Sequence, residues 1–218
     1  MDQPGTLIKF GDHDHLLQLQ DEGLLYLNNL PHFWEIEDRE LRGDPFDCVA
    51  QVTRGPRVAI TLTTGKELTI LGNWAIRMHP PEPEKINIFC MYALRPLVER
   101  TFPVNEKNFR FGEHALLLIN PSEFMRRIES SLKSQRIIAK ADLVEYVDDE
   151  YAGKVGPFRK FKKFSYQSEW RLVCLDGPGG PRRIHIGSIR DISVIMGSDE
   201  VNKEIKVDFE QDGAPDRQ

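Results

Sequence analysis

The sequence predicts a strand-rich α+β domain with mixed or antiparallel sheets and about three helices. Roughly nine short segments combine β-branched or aromatic residues with period-2 alternation, and clusters of Gly, Pro, Asn and Asp separate them. Only about three longer segments repeat apolar residues at helical spacing. There is no βαβ alternation and no glycine-rich nucleotide loop, which argues against a parallel α/β fold.

The length and charge of the chain favour one domain in an aqueous compartment. The 218 residues carry a formal net charge of -5, which argues against a surface that binds nucleic acids non-specifically. No apolar run is long enough for a membrane helix, and the N-terminus lacks the features of a signal peptide. We therefore predict a cytoplasmic protein that does not bind membranes, with one domain over 1–209 and a disordered polar tail over 210–218.

The first three elements have clear local signals. Residues 7–10 are strand formers, and Asp12 is a suitable N-cap for a helix over 13–22. Gly23 suits the left-handed position that ends such a helix. A second strand is predicted directly afterwards, over 24–28.

The middle of the chain predicts a helix, a hairpin and a buried strand. Residues 31–41 have amphipathic helical spacing. Residues 58–62 and 67–71 alternate as two strands around the turn Thr64-Gly65-Lys66. Residues 86–94 form the most apolar strand candidate, which predicts a central position in the sheet.

The best-defined helix begins after Asn120. Asn120 is placed as the N-cap, Pro121 as the first helical residue and Glu123 as the third-position partner. Further strands are predicted on both sides of this helix, over 109–119, 141–147, 182–187 and 192–197.

The chemistry of the chain centres on a strand predicted over 169–175. Period 2 places Glu169 and Arg171 on one face, with Trp170 on the other. If the strand begins at Gln167, the Gln167 amide lies beside the Glu169 carboxylate. Such a pair can divide two tasks, with the amide holding a nucleophile and the carboxylate stabilising developing positive charge. The alternative is an ordinary edge strand that carries a surface Arg-Glu pair.

This Gln-x-Glu element resembles the catalytic element of bacterial mono-ADP-ribosyltransferase toxins. The resemblance implies an ADP-ribosyltransferase-like fold with NAD as cofactor. It implies that Glu169 accepts a hydrogen bond from the ribose 2'-hydroxyl and stabilises an oxocarbenium-like transition state, while Gln167 orients the acceptor. Glycoside cleavage uses a carboxylate in a comparable way.

The same resemblance implies further site residues. The order strand, Gly, helix, strand at the start of the chain is similar to the opening of that fold, where a His or Arg on the first strand contacts NAD. Lys9 occupies this position, although its ammonium reproduces neither side chain. Tyr92 is the candidate for packing against nicotinamide, and Phe10, Tyr26 and Arg171 complete the set of expected cofactor contacts.

Most of the chain also resembles a family of uncharacterised bacterial and phage-associated proteins. The similarity rests on the first strand and on the segments 89–92, 120–124 and 161–171. Together the resemblances predict an NAD-dependent transferase that modifies a protein or nucleic acid. They suggest a toxin or phage-defence effector, with an inhibitor or antitoxin as a second partner.

Two other functions remain open. A non-enzymatic module that binds a partner would keep this architecture without catalysis, because fold does not fix function. A metal-dependent nuclease would need clustered carboxylates, and the candidates lie in turns without a recognisable metal pattern. These candidates are Asp44, Asp47, Asp148 and Asp149.

The basic and aromatic segment 158–164 immediately precedes the Gln-x-Glu element. Its interleaved cations and rings suit contact with the NAD pyrophosphate or with a nucleic acid. The alternative is an amphipathic segment that buries its aromatic side chains beneath a solvated basic edge.

Overall fold

A computed structural model describes residues 5–35, 44–95 and 101–206. The fold is strand-rich α+β, and its sheets are antiparallel apart from one parallel pair. The strands are β1 (Thr6–Gly11), β2 (Leu24–Asn29), β3 (Gln51–Thr61), β4 (Glu67–Met78), β5 (Asn87–Leu94), β6 (His114–Leu118), β7 (Ala139–Leu143), β8 (Glu145–Val147), β9 (Gly153–Lys154), β10 (Arg159–Phe161), β11 (Glu169–Cys174), β12 (Arg182–His185) and β13 (Ser193–Gly197).

Two longer α-helices pack on the sheet, and two short ones follow strands or turns. The α-helices are α1 (His13–Glu22), α2 (Leu30–Glu35), α3 (Pro121–Gln135) and α4 (Val201–Glu204). Helix α3 begins at the predicted position, because the Asn120 side chain accepts a hydrogen bond from the Glu123 N–H at 3.0 Å. The Glu123 carboxylate, predicted as the reciprocal partner of the cap, instead accepts from Arg126 and Arg127. Across the three described ranges, no helix has both the length and the apolar character needed to cross a membrane.

The main sheet is organised around β5, as predicted for the most apolar strand. One edge of β5 pairs with β11, which in turn pairs with β7. The other edge is shared: β2 pairs with Asn87 and Ile88, and β1 pairs with residues 92–94. The sheet therefore divides at β5, with β12 beyond β2 on one branch and β6 and β13 beyond β1 on the other.

The two faces of β11 follow the predicted alternation. Trp170, Leu172 and Cys174 pack in the main apolar core with residues of α1 and α3. Glu169 and Arg171 point to the opposite face. All six residues of β11 are buried and the strand is paired on both sides, so the alternative of an edge strand with a surface Arg-Glu pair is wrong.

Several predicted boundaries differ from the structure. The strand expected over 109–119 covers only β6, because Glu106–Phe111 forms a 3-10 helix that the Asn105 side chain caps. The strand expected over 141–147 is two strands, since β7 pairs with β11 whereas β8 pairs with β10. The second half of the helix expected over 31–41 and the tail 210–218 lie outside the described residues.

The predicted hairpin is longer than expected. Strands β3 and β4 form a two-stranded ribbon with a bulge between Gly55 and Arg57, and a turn around Gly65 joins them. Strand β9 pairs only with Gln51 and Val52 at the base of the ribbon. We use the name ribbon for residues 51–78 and the name body for the rest of the chain.

Candidate functional site: a buried charge network beside a cleft

Gln167 and Glu169 lie on either side of a tight backbone turn. Gln167 ends a 3-10 helix (Lys162–Gln167), and β11 begins at Glu169, which confirms the predicted start of the strand and leaves Gln167 outside it. Ser168 lies between them in the left-handed region, with φ 38° and ψ 56°. Its hydroxyl donates to the Ala93 carbonyl at 2.7 Å, and its carbonyl accepts from the Ala93 N–H at 2.6 Å. These two bonds hold a conformation that is otherwise unfavourable for serine.

A buried lysine joins the two predicted catalytic side chains. Lys160 Nζ donates to Gln167 Oε1 at 2.6 Å and to Glu169 Oε1 at 2.7 Å. Lys160 lies in β10 and its side chain is only 5% exposed. The structure thus brings Gln167 and Glu169 together through a cation that the sequence analysis did not single out.

Arg171 completes the network with a second carboxylate. Its Nε donates to Glu169 Oε2 at 2.7 Å, and its two terminal nitrogens donate to Asp47 Oδ1 and Oδ2 at 2.9 and 3.0 Å. Lys160 Nζ lies 3.3 Å from Asp47 Oδ2, which closes a ring of two cations and two anions. Arg171 was predicted to contact the cofactor, but its side chain is 2% exposed and its guanidinium binds these two carboxylates.

The charges of the network reinforce one another. Burial alone would raise the pKa of the Glu169 and Asp47 carboxyls, but the adjacent Arg171 and Lys160 charges outweigh it and hold both pKa values well below their usual range. Burial would likewise lower the pKa of Lys160, and the two carboxylates raise it instead. All four groups therefore stay ionised at neutral pH.

Asp44 is a third buried carboxyl next to this network. It accepts a hydrogen bond from the Phe46 N–H at 2.9 Å through Oδ1, whereas Oδ2 has no hydrogen-bond partner among the described residues. Burial, followed by repulsion from Asp47, raises the pKa of Asp44 from 3.8 to about 6. Ionised Asp44 is therefore disfavoured in the folded state.

We expect Asp44→Asn to stabilise the fold more at pH 7.5 than at pH 4.5. The wild-type carboxyl must ionise in a buried position as pH rises through about 6, while the unfolded chain ionises it near 3.8. A pKa shift of this size lowers the free energy of unfolding of the wild type by at most about 3 kcal/mol above pH 6. The uncharged amide of the Asp44→Asn variant does not ionise and therefore avoids this loss. Urea unfolding of both proteins at both pH values measures the difference, and an equal difference at the two pH values would contradict the prediction.

A cleft lies beside the turn that separates Gln167 from Glu169, but neither Gln167 nor any of the four charged residues of the network is among its lining residues. It has a volume of about 650 Å³, and its lining includes Tyr92, Thr101, Asn105, Tyr166, Ser168 and Asn202. Tyr92 is the direct cross-strand partner of Glu169, so their side chains share one face. The Tyr92 hydroxyl donates to the Thr101 carbonyl at 2.5 Å, which fixes its ring at the cleft wall.

Lys9 lies on the other face of the sheet. Ile8 is the cross-strand partner of Tyr92, so its neighbour Lys9 points away from the face that carries Glu169. Lys9 Nζ donates to the Cys90 carbonyl at 2.7 Å and lies 4.7 Å from the centre of the Phe89 ring. Cys90 falls between the segments of β5 that pair with β2 and with β1, so Lys9 satisfies a carbonyl where the sheet divides.

The other two expected cofactor contacts occupy different environments. Phe10 is buried on the Tyr92 face, and its ring meets the Tyr92 ring edge-on with centroids 6.3 Å apart. Tyr26 is 43% exposed on β2 and stacks with Arg183. The structure therefore gathers Gln167, Glu169, Tyr92 and Phe10 on one side of the sheet.

The basic and aromatic segment before β11 is amphipathic. Phe161 and Phe164 are buried in a satellite core, and Lys160 is buried in the charge network. Lys162 and Lys163 are exposed. Burial of Phe161 and Phe164 agrees with the alternative stated from the sequence, and it leaves Lys162, Lys163 and, in part, Arg159 at the surface.

The carboxylates considered for a nuclease do not assemble. Asp47 is bound to Arg171, and the Asp148 side chain is 85% exposed in a turn. Within residues 5–35, 44–95 and 101–206, no group of three or more His, Cys, Asp or Glu side chains is arranged to hold a metal ion. The geometry of this part of the chain offers no support for a metal-dependent mechanism.

Sequence reasoning named Asp47 only as a nuclease candidate and Lys160 only as part of the basic segment 158–164, and it missed that both bind the pair Glu169 and Arg171. One signal was available. Apart from Glu169, the residues around Arg171 in β11 are apolar, and an arginine buried among them requires carboxylate partners. That signal does not say which carboxylate, because Asp47 is 124 residues away from Arg171 in the chain.

Comparison with known proteins gives no assignment. No protein-family model matches the chain, and no curated protein or solved structure is significantly similar to it.

Proposed function

We propose that the chain is an NAD-dependent mono-ADP-ribosyltransferase that modifies a macromolecule, either a protein or a nucleic acid. One observation carries the proposal: Lys160 holds the Gln167 amide and the Glu169 carboxylate side by side at the start of β11, next to the cleft that Tyr92 lines. This is the pair of groups that the proposed chemistry requires, in one place.

The proposed reaction breaks the bond between nicotinamide and ribose. Nicotinamide leaves with the electron pair of that bond, and positive charge develops on the ribose carbon and ring oxygen. The acceptor nucleophile then forms the new bond to the ribose carbon and releases its proton to solvent. A carboxylate that stays ionised at neutral pH lowers the barrier by stabilising the cationic transition state.

Glu169 has acceptor capacity left for a ribose hydroxyl. An ionised carboxylate offers about four lone-pair positions. Lys160 occupies one of these on Oε1, and Arg171 occupies one on Oε2. In this proposal the two cations orient the carboxylate, and Gln167 positions the acceptor.

The cleft supports binding of a nucleotide-sized ligand. Its volume of about 650 Å³ lies within the usual range of small-molecule sites, which is about 300–1,000 Å³. The Tyr92 ring offers a flat apolar surface for nicotinamide, and Asn105 and Asn202 offer amide groups for polar contacts. Lys9 has no part in this site, because it faces the other side of the sheet.

The direct test measures nicotinamide release from NAD by the purified chain, with RNA, DNA and cell protein supplied separately as acceptors. We expect release in the presence of at least one acceptor and a rise in melting temperature on addition of NAD. Transfer of labelled ADP-ribose then identifies the acceptor class. Absence of both nicotinamide release and thermal stabilisation would overturn the proposal.

A role as toxin or phage-defence effector extends this proposal. Unrestrained modification of a cellular macromolecule harms the cell that makes the enzyme, so an inhibitor or antitoxin partner belongs to the same hypothesis. Growth arrest on expression of the wild-type chain, absent with Glu169→Gln, is the expected result.

A specific observation also favours a second function, that of a non-enzymatic partner-binding module. The ring of Lys160, Glu169, Arg171 and Asp47 connects three separate segments of the chain. Stabilising the fold in this way would explain the buried carboxylate of Glu169 without any catalytic role. In that case NAD does not bind, and substitution of Glu169 changes stability alone.

A further inference from the structure

Two histidines meet where the first helix begins. The rings of His13 and His114 lie with their centroids 4.9 Å apart, and their planes are tilted by 56° to each other. His13 is the first residue of α1, and His114 is the first residue of β6. Neither residue lines the cleft beside Tyr92, so the pair lies outside the site proposed for NAD.

The backbone fixes the two histidines next to each other. Gly11, the last residue of β1, is the cross-strand partner of His114. Gly112 packs so closely on Gly11 that a Cβ at position 112 would overlap the Gly11 backbone. A residue without a side chain permits this approach. The segment that leads into α1 and the segment that leads into β6 therefore touch, and each carries one imidazole.

The ring nitrogens of both histidines are available to a ligand. Across the described residues, neither imidazole makes a hydrogen bond. The one polar contact of the pair is between His13 Nδ1 and Asp14 Oδ1, and its length is 3.9 Å. The His13 side chain is 50% exposed, so a small ion reaches it from solvent. Neutral imidazole is the commonest metal ligand in proteins.

The ring geometry fits one shared metal ion. An ion lies in the plane of an imidazole that binds it, so parallel stacked rings cannot share an ion, whereas planes tilted by 56° intersect. A zinc–nitrogen bond of about 2.1 Å and an imidazole radius of about 1.1 Å place an ion about 3.2 Å from each ring centre. Ring centres 4.9 Å apart then subtend an angle of about 100° at the ion. This angle is close to the tetrahedral angle that Zn²⁺ adopts in proteins.

The carboxylates around the pair favour a cation. Asp12 and Asp14 are the sequence neighbours of His13, and both are largely exposed. Glu113, which precedes His114, is exposed as well. Their negative charges raise the local concentration of cations. The Asp14 carboxylate lies on the Nδ1 side of His13, and a carboxylate beside one ring nitrogen is a usual companion of a histidine that binds metal through the other.

We propose that His13 and His114 bind one Zn²⁺ ion and thereby cross-link the start of α1 to the start of β6. Imidazole suits Zn²⁺, whereas Mg²⁺ and Ca²⁺ prefer oxygen ligands. The described residues place no third His, Cys, Asp or Glu side chain in position, so water completes the coordination. The ion has no part in the proposed transfer reaction, and the proposal does not depend on that function.

Calorimetric titration of the full chain with zinc chloride tests the site. We expect one ion to bind per chain with a Kd below about 100 μM, and we expect no binding of Mg²⁺ at this site. His13→Ala and His114→Ala should each raise the Kd at least about tenfold, because a single imidazole remains. The matched control is His15→Ala, which removes an exposed imidazole from the same turn of α1. Its Kd should change by less than about twofold.

Two further measurements separate one shared ion from two independent ones. With a shared ion, His13→Ala/His114→Ala should bind Zn²⁺ little more weakly than either single variant, so the losses are not additive. Independent sites would instead leave one ion bound to each single variant with unchanged affinity. In nitrogen-15 spectra of the six histidine rings of the wild type, only the signals of His13 and His114 should shift on addition of zinc.

Metal binding should also appear in thermal stability. Zinc should raise the melting temperature of the wild type and of His15→Ala, but not that of His13→Ala or His114→Ala. Melting temperatures without zinc show whether the variants fold. Absence of zinc binding by the wild type, wild-type affinity in the double variant, or an equal loss of affinity in His15→Ala would each overturn the proposal.

Discussion

Glu169→Gln is expected to reduce nicotinamide release from NAD by about 10²–10³-fold. The amide has nearly the same shape as the carboxylate and keeps one oxygen as an acceptor, but it lacks the negative charge that stabilises the ribosyl cation. The amide oxygen can accept from Lys160 or from Arg171 but not from both, because the NH2 group only donates, so activity is compared per folded molecule. We expect the loss to lie mainly in kcat. Chromatography of nicotinamide at saturating NAD measures the effect.

Asp47→Asn is the matched control for this experiment. It removes one negative charge from the same buried ring, and Asp47 binds Arg171 rather than occupying the predicted catalytic position. We expect its activity to fall only in proportion to the fraction of folded protein. Equal losses of activity per folded molecule in both variants would contradict a specific role for Glu169 in the transition state.

Arg171→Met is expected to lower the free energy of unfolding by about 3–5 kcal/mol. The variant leaves the Asp47 and Glu169 carboxylates buried with Lys160 as their remaining cation in the ring. The penalty arises mainly from uncompensated buried charge, because methionine fills much of the space of the arginine stem. Urea unfolding at pH 7 measures the difference.

The sign of the pH dependence follows from the same physics. Without Arg171, the pKa values of Asp47 and Glu169 rise, because the attraction that opposes burial is weakened. Protonation of a carboxylate then removes an uncompensated buried charge. The loss of free energy of unfolding caused by Arg171→Met should therefore be smaller at pH 4 than at pH 7. Arg159→Met is the control, since Arg159 forms a surface pair with Glu145 at 2.7 Å, and its loss should cost less than about 1 kcal/mol. A similar loss in both variants would show that the buried ring does not dominate stability.

Local sequence signals determined several elements of this protein. The C-terminal end of α1 at Gly23, the cap of α3 and the turn of the ribbon all follow from interactions between residues a few positions apart, whereas Asp12 precedes α1 without a side-chain capping bond. The alternation along β11 was also readable, since side chains in a strand must point to opposite faces. These features depend on backbone geometry that neighbouring residues fix by themselves.

The candidate site was only half determined in this way. The sequence placed Gln167 and Glu169 next to each other, and the pairing of β5 with β11 then set Tyr92 beside Glu169. Lys9 was predicted to join them because it occupies the position of the His or Arg that contacts NAD on the first strand of the resembling fold. Strand register decided otherwise, since a shift of one residue along a strand moves a side chain to the other face.

Only the tertiary structure decided what surrounds Glu169. Lys160 binds Glu169 directly, and Asp47 binds Lys160 and Arg171, from two segments whose local sequences predict a basic patch and a turn. The apolar interior makes an unpaired charge costly, so the carboxylates and cations of distant segments collect in one ring. That requirement acts between residues up to 124 positions apart, and no local pattern records which of them will meet.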